Sequence, residues 1–185
     1  MSDRNDAVGA LLDKQEIHEL LTRYLRAVDR GDVEGVRACY LPGATEDHGG
    51  VFTGTADDYV TSVSAVVSHP RSRTMHCMTN VLVELSPNDP DLAQAESYVT
   101  TFSAVRTPDG QLGHCFVGAR IIDRLERRDG RWGIAHRALV WDWSHDAPAT
   151  ETWLFGMLIG DPADLTRSGK YPNDPVYTTL NGAGE

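Results

Sequence analysis

Asp29 and His76 carry the strongest chemical signal in this 185-residue chain, although 46 residues lie between them. Asp29 closes an amphipathic run that includes Tyr24 and Val28, and His76 opens a run that alternates like a strand. Imidazole is the side chain whose charge changes near neutral pH. A carboxylate on one ring nitrogen fixes its tautomer and stabilises the imidazolium, leaving the other nitrogen free to accept a proton. Brought together by the fold, the two residues would form a general base. Tyr24, five residues before Asp29, offers a phenol that stays protonated at neutral pH and can donate to a carbonyl or a departing hydroxyl. Each residue also has a plainer use. Asp29 can cap backbone amides near Gly31, His76 can be a satisfied core histidine, and Tyr24 continues an apolar stripe.

Other polar groups are read by alternation along the last strand. Parity puts His136 on the face of Trp132, and Arg137 with Leu139, Trp141 and Trp143. Arg137 could anchor a carboxylate or oxyanion in an aromatic setting, or pair with an acid in the sheet. Trp141 and Trp143 on one face would suit a polycyclic ligand, and packing would use them equally well. His48, His69 and His145 fall in predicted loops or ends and receive no role. No HExxH occurs, and His18-Glu19 lacks a second His four residues on. Phosphate-loop, dinucleotide and GxSxG signatures are missing as well. No cofactor or metal is therefore expected.

These residues need elements to hold them. A first helix is predicted from about Lys14 to Arg30, capped by Asp13 with Glu16 three residues on. Ile17, Leu20, Leu21, Tyr24, Leu25 and Val28 form its buried face. Gly31 stops it, and Asp32 caps a short second helix through Val36 to Tyr40 that ends at Pro42-Gly43. A hairpin around His48-Gly49-Gly50 spans 44–52. Thr55 caps a third helix with Tyr59, Val63, Val66 and Val67 inward, ending at His69-Pro70. Four long strands follow, over 74–85, 93–106, 112–127 and 131–144, with tight turns at Pro108-Asp109-Gly110 and Asp129-Gly130. Helices first and an antiparallel meander afterwards imply an α+β domain, a curved mainly antiparallel sheet wrapped around three N-terminal helices.

The domain is placed at 13–145, after a flexible N-terminus at 1–12. An extension over 146–185 follows, frayed at 181–185. Its apolar run at 153–159 would act as a lid or touch another subunit.

Seventeen Lys and Arg against 27 Asp and Glu give a formal charge of −10. Such a surface repels nucleic-acid phosphates and anionic lipid, so neither is an expected partner. Three scattered cysteines, Cys39, Cys77 and Cys115, form neither a zinc pattern nor a disulfide framework. The N-terminus lacks the apolar core of a signal peptide, so a cytoplasmic location is expected.

Three stretches together resemble a known family. They are Tyr24 with Asp29, Gly31 and Asp32; Met75-His76 with Asn80; and Asp123 with the run from Arg127 to Trp132, followed by His136-Arg137. The chain resembles the SnoaL-like branch of the cone-shaped nuclear-transport-factor-like superfamily, which includes scytalone dehydratase, bile-acid 7α-dehydratase and hexachlorocyclohexane dehydrochlorinase. The resemblance covers about residues 13–145. It implies a cone with an internal cavity, an Asp29–His76 catalytic pair, and substrate polarisation by Tyr24. It also implies a pocket role for His114, which would join Arg137 and Trp141, read above from strand alternation, as substrate-binding residues. The activity it implies is a cofactor-independent lyase of dehydratase type acting on a small apolar or polycyclic substrate. An isomerase or cyclase using the same pair, or a non-catalytic binding or subunit-assembly protein, are the alternatives. A homodimer or homotrimer is expected.

Overall fold

The computed structural model describes residues 2–70, 72–106, 109–149, 157, 161, 165–177 and 179. Three helices come first: α1 (Ser2–Arg30), α2 (Val33–Arg37) and α3 (Ala56–Val67). Between α2 and α3 lie β1 (Tyr40–Asp47) and β2 (Thr53–Thr55). Four long strands follow: β3 (Arg73–Leu85), β4 (Leu92–Arg106), β5 (Leu112–Arg128) and β6 (Arg131–Pro148). All six strands form one sheet in the order β2-β1-β6-β5-β4-β3. Every pairing is antiparallel except β1 with β6, which is parallel. The protein is therefore α+β, with its helices on the concave face of a curved sheet.

The buried stripe of α1 is the one its spacing predicts. Ile17, Leu20, Leu21, Tyr24 and Leu25 are buried and join Ile121, Leu125, Trp132 and Ile134 of the sheet in one core. Burying a Leu or Ile side chain contributes about 1.5–3 kcal/mol, so this stripe fixes the helix on the sheet. The helix begins at Ser2, well before Lys14. Asp13 is not its cap: the carboxylate accepts from Trp132 Nε1 at 3.0 Å and from Arg127 at 2.6 Å, joining the helix to the β5–β6 turn.

The C-terminal end of α1 is built with care. Gly31, at φ +65, lets its amide reach the Val28 carbonyl while the Asp32 amide reaches that of Ala27. This is the Schellman closure. A Cβ at Gly31 would also come within 2.6 Å of the Val67 carbonyl oxygen. The carbonyls of Asp29 and Arg30 are left over, and the C-terminal segment satisfies both. Lys170 Nζ donates to Asp29 at 2.9 Å and the Tyr171 amide donates to Arg30 at 2.7 Å. Asp32 and Thr55 cap α2 and α3 through the amides of Gly35 and Asp58.

Two bulges in β6 correct the parity expectation. Leu125 pairs with Ile134 while Arg124 pairs with His136, so Ala135 is an extra residue. Arg137 thereby turns to the concave face with Ile134 and Trp132, and His136 turns outward to meet the Thr45 hydroxyl at 2.7 Å. A second shift leaves Asp142 between Trp141, opposite Ala119, and Trp143, opposite Gly118. The two indoles therefore take opposite faces. Trp141 points inward, and Trp143 lies across Gly118 on the convex side. A bulge inserts one residue and reverses the alternation beyond it.

The apolar run at 153–159, Met157 apart, and residues 181–185 lie outside the described residues. No described helix is long and apolar enough to cross a membrane.

Candidate active site

Between the helices and the sheet lies a cavity of about 380 Å³. Small-molecule sites span about 300–1,000 Å³, so this one has room for a compact ligand. Its walls are mostly aliphatic: Leu25 and Val28 of α1, Val63 and Val66 of α3, and Val99, Val117, Ile121 and Leu139 of the sheet. Tyr24, Glu46, His48, Tyr59, His76 and Arg137 supply polar groups, and Trp141 supplies an indole.

The structure brings Asp29 and His76 together. Asp29 Oδ1 lies 2.6 Å from His76 Nδ1, and its Oδ2 accepts the backbone N–H of the same histidine at 3.0 Å. Two bonds from one residue to one carboxylate fix both the ring and the strand. A carboxylate on Nδ1 makes that nitrogen the N–H and directs the lone pair of Nε2 elsewhere. Asp29 sits in the last turn of α1, where the helix dipole disfavours negative charge. The bonds from His76 offset that cost. His76 lines the cavity, and Asp29 sits behind it in a shallower groove with Arg26 and Arg30.

Tyr24 is buried, and the Arg137 guanidinium carbon sits 3.8 Å above its ring centroid. Its hydroxyl lies 3.3 Å from that of Tyr40. Burial pushes the Tyr24 phenol up, with Glu46 adding to the rise and Arg137 opposing it, so it remains a hydrogen-bond donor at any physiological pH.

Arg137 is 3% exposed and forms a two-pronged pair with Asp123, at 2.7 and 2.9 Å. Burial works against its charge, but Asp123 outweighs that and holds the guanidinium well above its usual value. Among the described residues its Nη1, which has almost no accessible surface, finds no hydrogen-bond partner. The paired-acid reading and the pocket reading of Arg137 are thus compatible, since one edge faces Asp123 and the residue still lines the cavity.

Trp141 also lines the cavity, its Nε1 donating to the Gly49 carbonyl at 3.1 Å. Gly49 has φ +58, and a Cβ there would fall 2.3 Å from that indole nitrogen. His114 is placed elsewhere. It faces the convex side opposite Ala104, edge-on to Phe116, and lines a separate shallow depression. Its pocket role is corrected by strand parity, because Cys115 takes the concave position.

Sequence reasoning missed Glu46 and His48. Glu46 is 1% exposed and accepts from the Tyr40 hydroxyl at 2.7 Å, with His48 Nδ1 2.9 Å from its other oxygen. The signal was present, since Ala44, Glu46 and His48 alternate along one strand and its turn, and so share a face. Among the described residues, no group of three or more His, Cys, Asp or Glu converges as a metal site would require.

A curved sheet closed over helices, with a His–Asp pair on the wall of an internal cavity, defines the cone-shaped α+β class. The chain belongs to the SnoaL-like domain family, whose model matches residues 9–138, within the nuclear-transport-factor-like superfamily. No curated protein matches its sequence significantly. Solved structures that share its fold include a scytalone dehydratase-like protein from Novosphingobium aromaticivorans (16% identity, 81% of this chain and 94% of that one, TM-score 0.65). A type 2 hexachlorocyclohexane dehydrochlorinase is similar at 18% identity, 84% and 98% coverage and TM-score 0.67. A type 3 dehydrochlorinase from Novosphingobium barchaimii is similar at 19%, 78% and 95%, and 0.64. At these identities the likeness shows the fold.

Proposed function

We propose that this chain is a cofactor-independent lyase that removes a carbon-bound proton with His76 and expels a leaving group from the adjacent carbon. The substrate is a compact, mostly apolar, ring-containing molecule with an electron-withdrawing carbonyl. The observation that carries this reading is the pair of hydrogen bonds between Asp29 and His76 on the wall of an aliphatic cavity. Asp29 orients the ring and stabilises the imidazolium that forms. Tyr24, with the Arg137 guanidinium over its ring, is the group suited to receive developing negative charge, and a mostly apolar pocket strengthens its hydrogen bond. The names of the similar structures, a dehydratase-like protein and dehydrochlorinases, are consistent with elimination. An isomerase would use the same base and differ in where the proton returns.

The test is elimination from a panel of cyclic β-hydroxy ketones, from tetralone to steroid size, followed by the absorbance of the conjugated product. His76→Gln and Asp29→Asn are each expected to lower kcat by about 10²–10⁴-fold, the usual contribution of general acid–base catalysis. Undiminished turnover by His76→Gln would reject the assignment.

A further inference from the structure

The cavity holds a second imidazole–carboxylate pair. Glu46 stands opposite Arg137 across the parallel β1–β6 ladder, with its side chain fully buried. Buried charge requires a partner. Arg137 is engaged by Asp123 through two bonds, and Glu46 is met instead by the Tyr40 hydroxyl, which donates to Oε2 at 2.7 Å, and by His48, whose Nδ1 lies 2.9 Å from Oε1. The ring of His48 is held on three sides. It stacks on Tyr59 at 4.7 Å, meets the edge of Trp141 at 5.7 Å, and has Nε2 3.4 Å from the Tyr59 hydroxyl. His48 differs from His76 at its second nitrogen, where Nε2 faces the Tyr59 hydroxyl, an oxygen able to accept from an Nε2–H, on a ring that lines the same cavity.

We infer that His48 is a second catalytic residue of this cavity, the acid that gives its Nε2 proton to a departing oxygen while His76 removes the carbon-bound proton. Glu46 is its positioning residue. The inference rests on the elimination reading above, and it narrows the substrate. The leaving group is a hydroxyl or ether oxygen, which departs poorly without a proton, rather than a halide, which needs none.

The other groups on the cavity wall do not compete for this task. Burial pushes the Tyr24 and Tyr59 phenols up, so they donate hydrogen bonds and keep their protons. A guanidinium such as that of Arg137 does not release a proton. The step balances. The C–H electron pair becomes the new C=C bond, and the C–O pair leaves on oxygen. His76 Nε2 gains the carbon-bound proton, and the His48 proton completes the water or alcohol. Exchange with solvent then returns one proton to His48 and takes one from His76.

The experiment compares matched substrates, 3-hydroxy-1-tetralone with 3-chloro-1-tetralone and the corresponding steroid-sized pairs, under wild-type, His48→Gln, Glu46→Gln and His76→Gln proteins. His48→Gln is expected to lower kcat for the hydroxy substrate by about 10²–10⁴-fold and to leave turnover of the chloride nearly intact. Glu46→Gln should show the same selectivity with a smaller loss. His76→Gln should impair both substrates. Chloride turnover also reports that the His48→Gln and Glu46→Gln proteins are folded. Equal losses on both substrates, or no loss on either, with His48→Gln would overturn the role of His48 while leaving that of His76 standing. Wild-type protein that turns over neither member of any pair would overturn the elimination reading, and this inference with it.

Discussion

At the residue scale, the site concentrates groups that a fold without chemistry would avoid. An aspartate in the last turn of a helix works against the dipole, and a fully buried glutamate must be compensated. Both carry a histidine, and both histidines line one cavity. Tyr24 lies between the two pairs through its closeness to Tyr40 and Arg137. On this account the Tyr24 hydroxyl supports charge that develops only in the transition state. Tyr24→Phe is therefore expected to lower kcat by about 10²-fold with KM little changed, as steady-state rates on the β-hydroxy ketone panel would report. A change confined to KM would move Tyr24 from catalysis to ground-state binding.

At the scale of elements, β6 decides which polar groups reach the cavity. The bulge at Ala135 turns Arg137 inward, where the two-pronged bond to Asp123 ties β6 to β5 inside the core. Removing one member of a fully buried pair strands the other charge. Arg137→Met is expected to cost about 3–5 kcal/mol in urea unfolding, and the double change with Asp123→Leu should recover most of it. Equal stability of the single and double variants would contradict the pairing. The long strands, the three helices and the caps at Asp32 and Thr55 were legible, because periodicity and capping are local. The bulges were not. Ala135 and Asp142 carry no local mark, and one extra residue reverses every inward assignment beyond it. For that reason alternation alone sets Arg137 apart from Trp132 and Trp143 beside Trp141, whereas the pocket role of His114 comes from the family resemblance and fails on the parity of β5. His48 falls in a loop by sequence pattern, although its two-residue spacing from Glu46 places both on one face.

At the scale of the whole molecule, the segment after β6 closes the back of the site. Lys170 and Tyr171 satisfy the last carbonyls of α1, and Asp174 pairs with Arg30 at 3.3 Å. Contacts across some 140 residues leave no trace in local patterning, so this clip could not be read beforehand. Burial works against ionising Asp174, but the amides of Val176 and Gly169 and the Arg30 guanidinium outweigh it and hold the carboxyl below the usual range. A depressed native value favours the ionised form in the folded chain. The stabilisation is complete above the ordinary carboxylate range, about pH 4, and is lost as pH falls through the lower native value. Asp174→Asn should accordingly lower Tm by a constant amount from neutral pH down to about pH 5, with the gap closing below about pH 4. A gap that persists into strong acid would contradict the clip.

The central claim, that His76 backed by Asp29 abstracts a carbon-bound proton inside the cavity, can be tested without any leaving group. The measurement is hydrogen–deuterium exchange at the α-carbon of 2-tetralone in D₂O, followed by proton NMR with wild-type and His76→Gln proteins. Exchange above the buffer rate is expected with the wild type, falling to the buffer rate when His76 is replaced. Exchange at the same rate with both proteins, or none above buffer with either, would contradict it.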